Sequence, residues 1–308
     1  MSVARTLLLK ASDSTWLREH GTRWGFVKRA VSRFMPGEAF ADVLPAARAM
    51  AAEGVKALFT RLGENVKDLA EADAVVHHYL DALDRLQQEA LDCEPSIKLT
   101  QLGLDIDRGL AFDHLRALAA RARDRGTYLW VDMEQSSYVD VTLDMVRRLS
   151  AEFPRVGVCL QAYLFRTRED LVDLMGRGIG VRLVKGAYRE PATVAFPKKS
   201  DVDANFLALA QAMLAPGSRV LGARAVFGTH DLPLIDAIRH HASAVHVKPA
   251  DYEIHMLYGI QRAAQIRLAA DGAAVRVLIA YGPYWFPWYM RRLAERPANV
   301  WFVIKSLI

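Results

Sequence analysis

Short apolar runs rich in β-branched residues recur roughly every 23 to 40 residues from about residue 97 onward, and the sequence between them is amphipathic with helical spacing. No other feature restricts the fold as much, because this alternation predicts repeated β-α units and a parallel sheet. The runs fall at 97–102, 128–133, 156–162, 181–187, 224–228, 252–257, 275–280 and 300–304, eight in all. Eight such strands favour a closed barrel over an open doubly wound sheet. For the sixth run, 244–247 competes with 252–257. Residues 41–62, alanine-rich, and 73–91, amphipathic, predict helices ahead of the barrel, with Pro36-Gly37 as punctuation. The expected organisation is an N-terminal helical arm over 1–90 and an α/β (βα)8 TIM barrel over 91–308.

At 308 residues and 52% hydrophobic content, the chain can bury a large core. The balance of 40 basic against 35 acidic residues, +5, is modest and gives no sign of a nucleic-acid binder. Cys93 and Cys159 are the only cysteines and form no Cys-x-x-Cys spacing, which argues against a disulfide framework or zinc cluster and makes a reducing cytoplasm the default location. The first ten residues carry a leucine triplet but no long apolar core or cleavage site. The longest uncharged run, 278–290, is too short for a bilayer and holds Gly282, Pro283 and Pro287, so a soluble protein is expected. Residues 24–34 set Lys28, Arg29 and Arg33 beside Trp24, Val27, Val31 and Phe34. That stripe suits either a membrane surface or packing on the barrel.

Barrel enzymes place their chemistry where strands end and loops begin. Lys98 stands between Ile97 and Leu99, so strand alternation turns it away from both and toward the barrel mouth, where a lysine out of water needs an anion. Asp132, after Leu129-Trp130-Val131, is placed to balance it, although each residue alone also reads as an ordinary strand end. The run Arg182-Leu183-Val184-Lys185-Gly186-Ala187-Tyr188 joins two cations to a glycine, which suits a polyanionic or electron-rich cofactor. Gly176, Gly178 and Gly180 precede a strand rather than follow one, and so predict a turn instead of a dinucleotide fingerprint. Thr229, His230 and Asp231 offer short polar groups, for a ligand or for a helix cap. Near the C-terminus Arg291-Arg292 follows Trp285-Phe286-Pro287-Trp288. An arginine fork against an apolar wall matches both oxygens of a carboxylate, while a solvated helix face is the plain alternative. The sequence has no His-Glu-x-x-His or Gly-x-Ser-x-Gly element, and His77, His78, His240 and His241 lack metal-ligand spacing, so no metal site is expected.

Taken in order, Lys98, Asp132, Gln161, the run from Arg182 to Tyr188, Thr229-His230-Asp231 and Arg291-Arg292-Leu293-Ala294-Glu295 resemble the proline dehydrogenase family, beginning at Leu62-Gly63-Glu64. No aldehyde dehydrogenase segment follows Ile308, so the likeness is to the monofunctional bacterial form. The resemblance implies a distorted barrel with its last helix over the mouth, non-covalent FAD, and oxidation of L-proline to 1-pyrroline-5-carboxylate, with a membrane quinone reoxidising the flavin. It implies roles for residues as well. Arg291, Arg292 and Lys98 would hold the substrate carboxylate, with Tyr188, Leu257, Leu278 and Trp288 also around the substrate. Asp132 would pair with Lys98, and Arg182 would lie beside flavin N5. Gln161, Val184, Lys185, Gly186, Lys199, Thr229, His230, Asp231, His255, Arg292 and Glu295 would contact the cofactor, and Glu64 would be a gate that pairs with Arg291. Hydride transfer needs the substrate C5 within about 3.5 Å of N5, and anchoring the carboxylate sets that distance.

Three positions depart from the family pattern: Leu278 and Trp288 stand where tyrosine is usual, and His255 where glutamine is common. Leu278 bears on ring selectivity and leaves hydroxyproline or another cyclic imino acid as an alternative substrate. Two other classes fit parts of the chain. One is a barrel aldolase with Lys98 or Lys185 as the Schiff-base amine, and the other is a membrane- or nucleic-acid-binding module that uses the basic surface. Under the proline dehydrogenase reading, residues 24–34 would make peripheral contact with the cytoplasmic membrane that holds the quinone.

Overall fold

The computed structural model describes residues 31–286. Within them, eight parallel strands close into a barrel: β1 (Lys56–Arg61), β2 (Cys93–Ile97), β3 (Leu129–Val131), β4 (Val156–Gln161), β5 (Gly180–Val184), β6 (Ala225–Gly228), β7 (Glu253–Leu257) and β8 (Ala274–Tyr281). Each strand pairs with the next, and β8 pairs with β1 from Lys56↔Arg276 to Arg61↔Tyr281. Helix α1 (Phe40–Ala52) leads into β1. Then α2 (Leu69–Gln88), α3 (Arg108–Asp124), α4 (Val139–Ser150), α5 (Thr167–Gly176), α6 (Lys199–Leu214), α7 (Leu232–Ala244) and α8 (Arg262–Ala270) follow β1 to β7 in turn.

Strand alternation sorts the side chains between two cores. Phe59, Ile97, Val131, Val158, Leu183, Phe227, Ile254 and Ile279 face outward and pack against the helices in the main core. Leu58, Trp130, Val226 and the partly buried Leu278 form a second, smaller cluster. Burial of each large side chain is worth about 1.5–3 kcal/mol, so the outer layer carries most of the stability. Helix α2 shows how the layers join. Asp68 caps it by accepting from the Ala70 N–H at 2.9 Å, and Val75, Val76, Tyr79, Leu83 and Leu86 recur at helical spacing on its buried face. The Tyr79 hydroxyl accepts from the Arg61 N–H at 2.9 Å and donates to the Ser96 carbonyl at 3.2 Å, pinning α2 to the ends of β1 and β2.

The structure corrects one helix assignment and one strand assignment. Residues 41–62 are not one helix: α1 stops at Ala52, Gly54 turns the chain at φ +74°, and Lys56–Arg61 enters the barrel as β1. The barrel therefore takes its first strand from before residue 91. The run 97–102 is not a strand, because β2 ends at Ile97 and Leu99–Leu102 forms a 3-10 turn. With β1 counted, eight described strands close the barrel by Tyr281, and the run 300–304 lies outside the described residues. The contested sixth run lies at 253–257 as β7, and Gly178 sits in a turn at φ +76° between α5 and β5. Val31 and Met35 are buried, and the Arg33 carbonyl lies so close to Gly259 that a side chain at 259 would collide with it. The described end of the basic aromatic stripe thus packs on the barrel. Among the described residues, no helix is long and apolar enough to cross a membrane.

Candidate active site

Lys98, Asp132 and Arg182 come together at the C-terminal end of the barrel. Lys98 follows β2 directly, Asp132 follows β3, and Arg182 lies in β5. The Lys98 Nζ is 3.6 Å from Asp132 Oδ2, while Arg182 Nη2 pairs with Asp132 Oδ1. Ser96 Oγ donates to the same Oδ1 at 2.8 Å. Burial alone would push the Asp132 carboxyl upward, but Arg182, Lys98 and the Ser96 hydroxyl more than offset it and hold it below the usual carboxylate range. Burial works against the Lys98 ammonium as well. Asp132, then Glu64 and Glu134, reverse that and raise its pKa above the ordinary lysine value. All three central groups are therefore charged at neutral pH.

Other residues of the expected site lie at the ends of β4 to β7 and in the segments that follow them. Gln161 ends β4 with its amide Nε2 3.5 Å from the Met133 carbonyl, and its buried Oε1 has no hydrogen-bond partner. Gly186 takes φ +111°, and a Cβ there would run into the Tyr163 ring, so only glycine fits. Lys185 is held by Asp203 and by Asp231, at 2.7 Å from the latter, and Lys199 joins the same two carboxylates. Asp231 also caps α7 by accepting from the Leu234 N–H. Thr229 Oγ1 accepts from the Asp231 N–H at 3.1 Å, and His230 Nε2 accepts from the Leu257 N–H at 2.7 Å. Val184 and Tyr188 are half-buried at and just beyond the end of β5.

His255 sits one inward step below Leu257 along β7, with Nε2 3.2 Å from Glu253 and its ring edge-on to Trp130. Burial drives its pKa down to about 3 against the pull of Glu253, so the imidazole is neutral. Trp288, Arg291, Arg292 and Glu295 lie outside the described residues. The chain leading toward them leaves β8 at Gly282, beside Leu62, and buries Trp285 and Phe286.

The sequence reading missed a support beneath Glu64. Gln101 Nε2 donates to the carbonyls of Arg61 at 2.9 Å and Gly63 at 2.8 Å. Thr100 Oγ1 accepts from the Asn65 N–H at 3.1 Å and donates to Glu134 at 2.6 Å. This ties the Gly63–Val66 stretch to the 3-10 turn that follows Lys98. Burial raises the Glu134 carboxyl above its usual range despite the Thr100 bonds. The only hint in the sequence was position: Gln101 and Glu134 each lie just beyond a strand end.

Comparison with known proteins adds a second line of information. The family model for proline dehydrogenase matches residues 43–305. Proline dehydrogenase 1 of Bacillus subtilis subsp. natto is 35% identical over 291 residues, covering 94% of this chain and 93% of that protein. Proline dehydrogenase of Deinococcus radiodurans is 34% identical over 281 residues, 90% of this chain and 89% of its own length. Among solved structures, proline utilization A (PutA) from Bdellovibrio bacteriovorus inactivated by N-propargylglycine superposes with a TM-score of 0.81 at 22% identity, over 95% of this chain. That match spans 36% of the PutA chain and speaks for the fold.

Proposed function

Because the chain belongs to the proline dehydrogenase family, we propose that it oxidises L-proline to 1-pyrroline-5-carboxylate, the first step of proline breakdown, as an FAD-dependent enzyme. The observation that carries this reading is the convergence of Lys98 and Arg182 on Asp132 at the barrel mouth. The residues present fit the cofactor. Gln161 offers a buried acceptor without a partner, suited to the N–H edge of an isoalloxazine, and Gly186 keeps the end of β5 clear of side chain. When bound, FAD supplies the hydride acceptor.

The chain's own residues do the rest. Lys98, with Arg291 and Arg292, holds the proline carboxylate, and Asp132 keeps Lys98 in place. Arg182 would hold a fixed positive charge toward bound flavin, where it would stabilise the negative charge of the reduced ring. Lys185, Lys199, Thr229, His230 and Asp231 line the stretch assigned to the rest of the cofactor. As hydride leaves C5 the ring nitrogen must lose a proton, and solvent takes it, since no described side chain is a dedicated base. Leu278, beside Leu58 and Trp130, gives the ring an apolar neighbour, which suits an unsubstituted ring better than a hydroxylated one. Glu64, close enough to raise the Lys98 pKa, acts as the gate toward Arg291. Electrons leave to a membrane quinone, with Lys28, Arg29 and Arg33 providing the peripheral contact.

Purified protein is expected to be yellow and to reduce an artificial acceptor with proline, at a higher kcat/KM than with 4-hydroxyproline. Arg291→Met or Arg292→Met should raise KM for proline by about 10-fold or more. Colourless protein after flavin supplementation would refute the reading. Liposome co-sedimentation unchanged by alanine at Lys28, Arg29 and Arg33 would remove the membrane contact alone.

A further inference from the structure

Two uncharged side chains flank the ion pair under the mouth and make the same pair of contacts from opposite sides. Ser96, on β2, accepts from Arg182 Nη2 at 2.6 Å and donates to Asp132 Oδ1 at 2.8 Å. Cys159, on β4, accepts from Arg182 Nε at 2.8 Å and has its Sγ 3.6 Å from the same Oδ1. Strand order produces the symmetry, because β2 and β4 are the two neighbours of β3, which leads into Asp132. The face of Trp130 lies 5.1 Å from the Arg182 guanidinium carbon and limits its tilt.

We infer that Ser96 and Cys159 are positioning residues that fix the plane of the Arg182 guanidinium by bridging it to Asp132 on either side. A single ion pair leaves an arginine free to rotate about the shared oxygen. Bonds through Nε and Nη2 to three separate atoms remove that freedom. Both bridging groups must donate and accept at once, as a hydroxyl or a neutral thiol does and a thiolate cannot. Burial pushes the Cys159 thiol up to about 11, with Arg182 pulling it down, so the S–H persists at neutral pH. The inference rests on the reading that Arg182 lies beside FAD.

The test compares FAD-loaded wild type with Cys159→Ala, Cys159→Ser and Ser96→Ala, by midpoint potential, flavin content, melting temperature and steady-state kinetics. Each alanine variant should favour the reduced flavin about tenfold less, a potential about 30 mV lower for a two-electron couple. Turnover should fall while KM for proline stays close to wild type. Serine at 159 accepts and donates like the thiol, and should bring the potential most of the way back. A merely structural role would lower the melting temperature of the alanine variants and leave the potential where it was, and that result overturns the inference. Should Cys159→Ala fail to fold, Ser96→Ala, which removes one oxygen, reads the other half of the bridge with the same two outcomes. Wild type that takes up no FAD would instead sink the proposed function, and the inference with it.

Discussion

The barrel interior is charged at both ends, and the two ends treat charge in opposite ways. At the N-terminal end, Lys56, Arg224 and Arg276 meet Asp92, Glu94 and Glu253, three cations to three carboxylates. Glu94 Oε1 alone takes Arg224 at 2.9 Å and Arg276 at 3.0 Å, and Trp130 Nε1 donates to its other oxygen at 2.7 Å. At the C-terminal end, Lys98 and Arg182 share Asp132, and Glu64 and Glu134 also act on Lys98 without pairing with it directly. A closed network of this kind holds its own charges and offers a ligand nothing. Lys98, at 3.6 Å from Asp132, is held more loosely than the cations of that network, and as a lysine where the strands open it is the cation best placed to turn to an anion. Interior charge in a barrel therefore points to chemistry where its pairing is loose.

The contrast breaks most sharply at Arg182. Arg182→Met should cut kcat/KM by about 10²–10³-fold while circular dichroism still reports a folded barrel. The opposite break is Arg276→Met, which leaves Glu94 and Glu253 short of a cation and should cost about 3–5 kcal/mol in urea unfolding. Turnover per bound flavin should barely move; a large loss there would mean that the two ends are coupled. Gly186→Ala sharpens the comparison on the mouth side, since its Cβ meets the Tyr163 ring at a positive φ. It should destabilise by about 1–3 kcal/mol and shorten flavin retention in gel filtration.

The smallest expected effect is a pH dependence. His255 is neutral in the fold because burial lowers its pKa to about 3, against 6.5 for the free side chain. Between those values the unfolded chain binds the extra proton, so stability falls as pH drops from about 6.5 toward 3. His255→Gln should flatten part of that slope when unfolding free energy is measured between pH 7 and 5. An unchanged slope would place the acid sensitivity in other groups.

Strands β3 to β8 could be read from the sequence because their outward residues are apolar, many of them β-branched, and helical spacing separates them. The first two strands were hidden for separate reasons. Lys-Ala-Leu-Phe-Thr-Arg follows an alanine-rich helix after a short turn at Gly54, and helix propensity ran the two together. Cys-Glu-Pro-Ser-Ile reads as loop, because two of its five residues are polar groups that Arg182, Arg224 and Arg276 satisfy only once the barrel closes. In the candidate site, Lys98 and Asp132 were legible from strand-end position, while the pairing of Arg182, in the middle of β5, with the same carboxylate was not. The bridging thiol and hydroxyl were not, since nothing in local sequence tells which buried polar residue faces its neighbours' ion pair.

The hydrogen-bonded seam between β1 and β8 has a consequence for how the chain comes into being. A stave formed near residue 56 leaves the ribosome early and waits, with one edge unpaired, until residues near 281 have been synthesised. During that interval it is exposed to pairing with other nascent chains, so yield in cells should depend on translation rate and on chaperones more than the finished barrel's stability suggests.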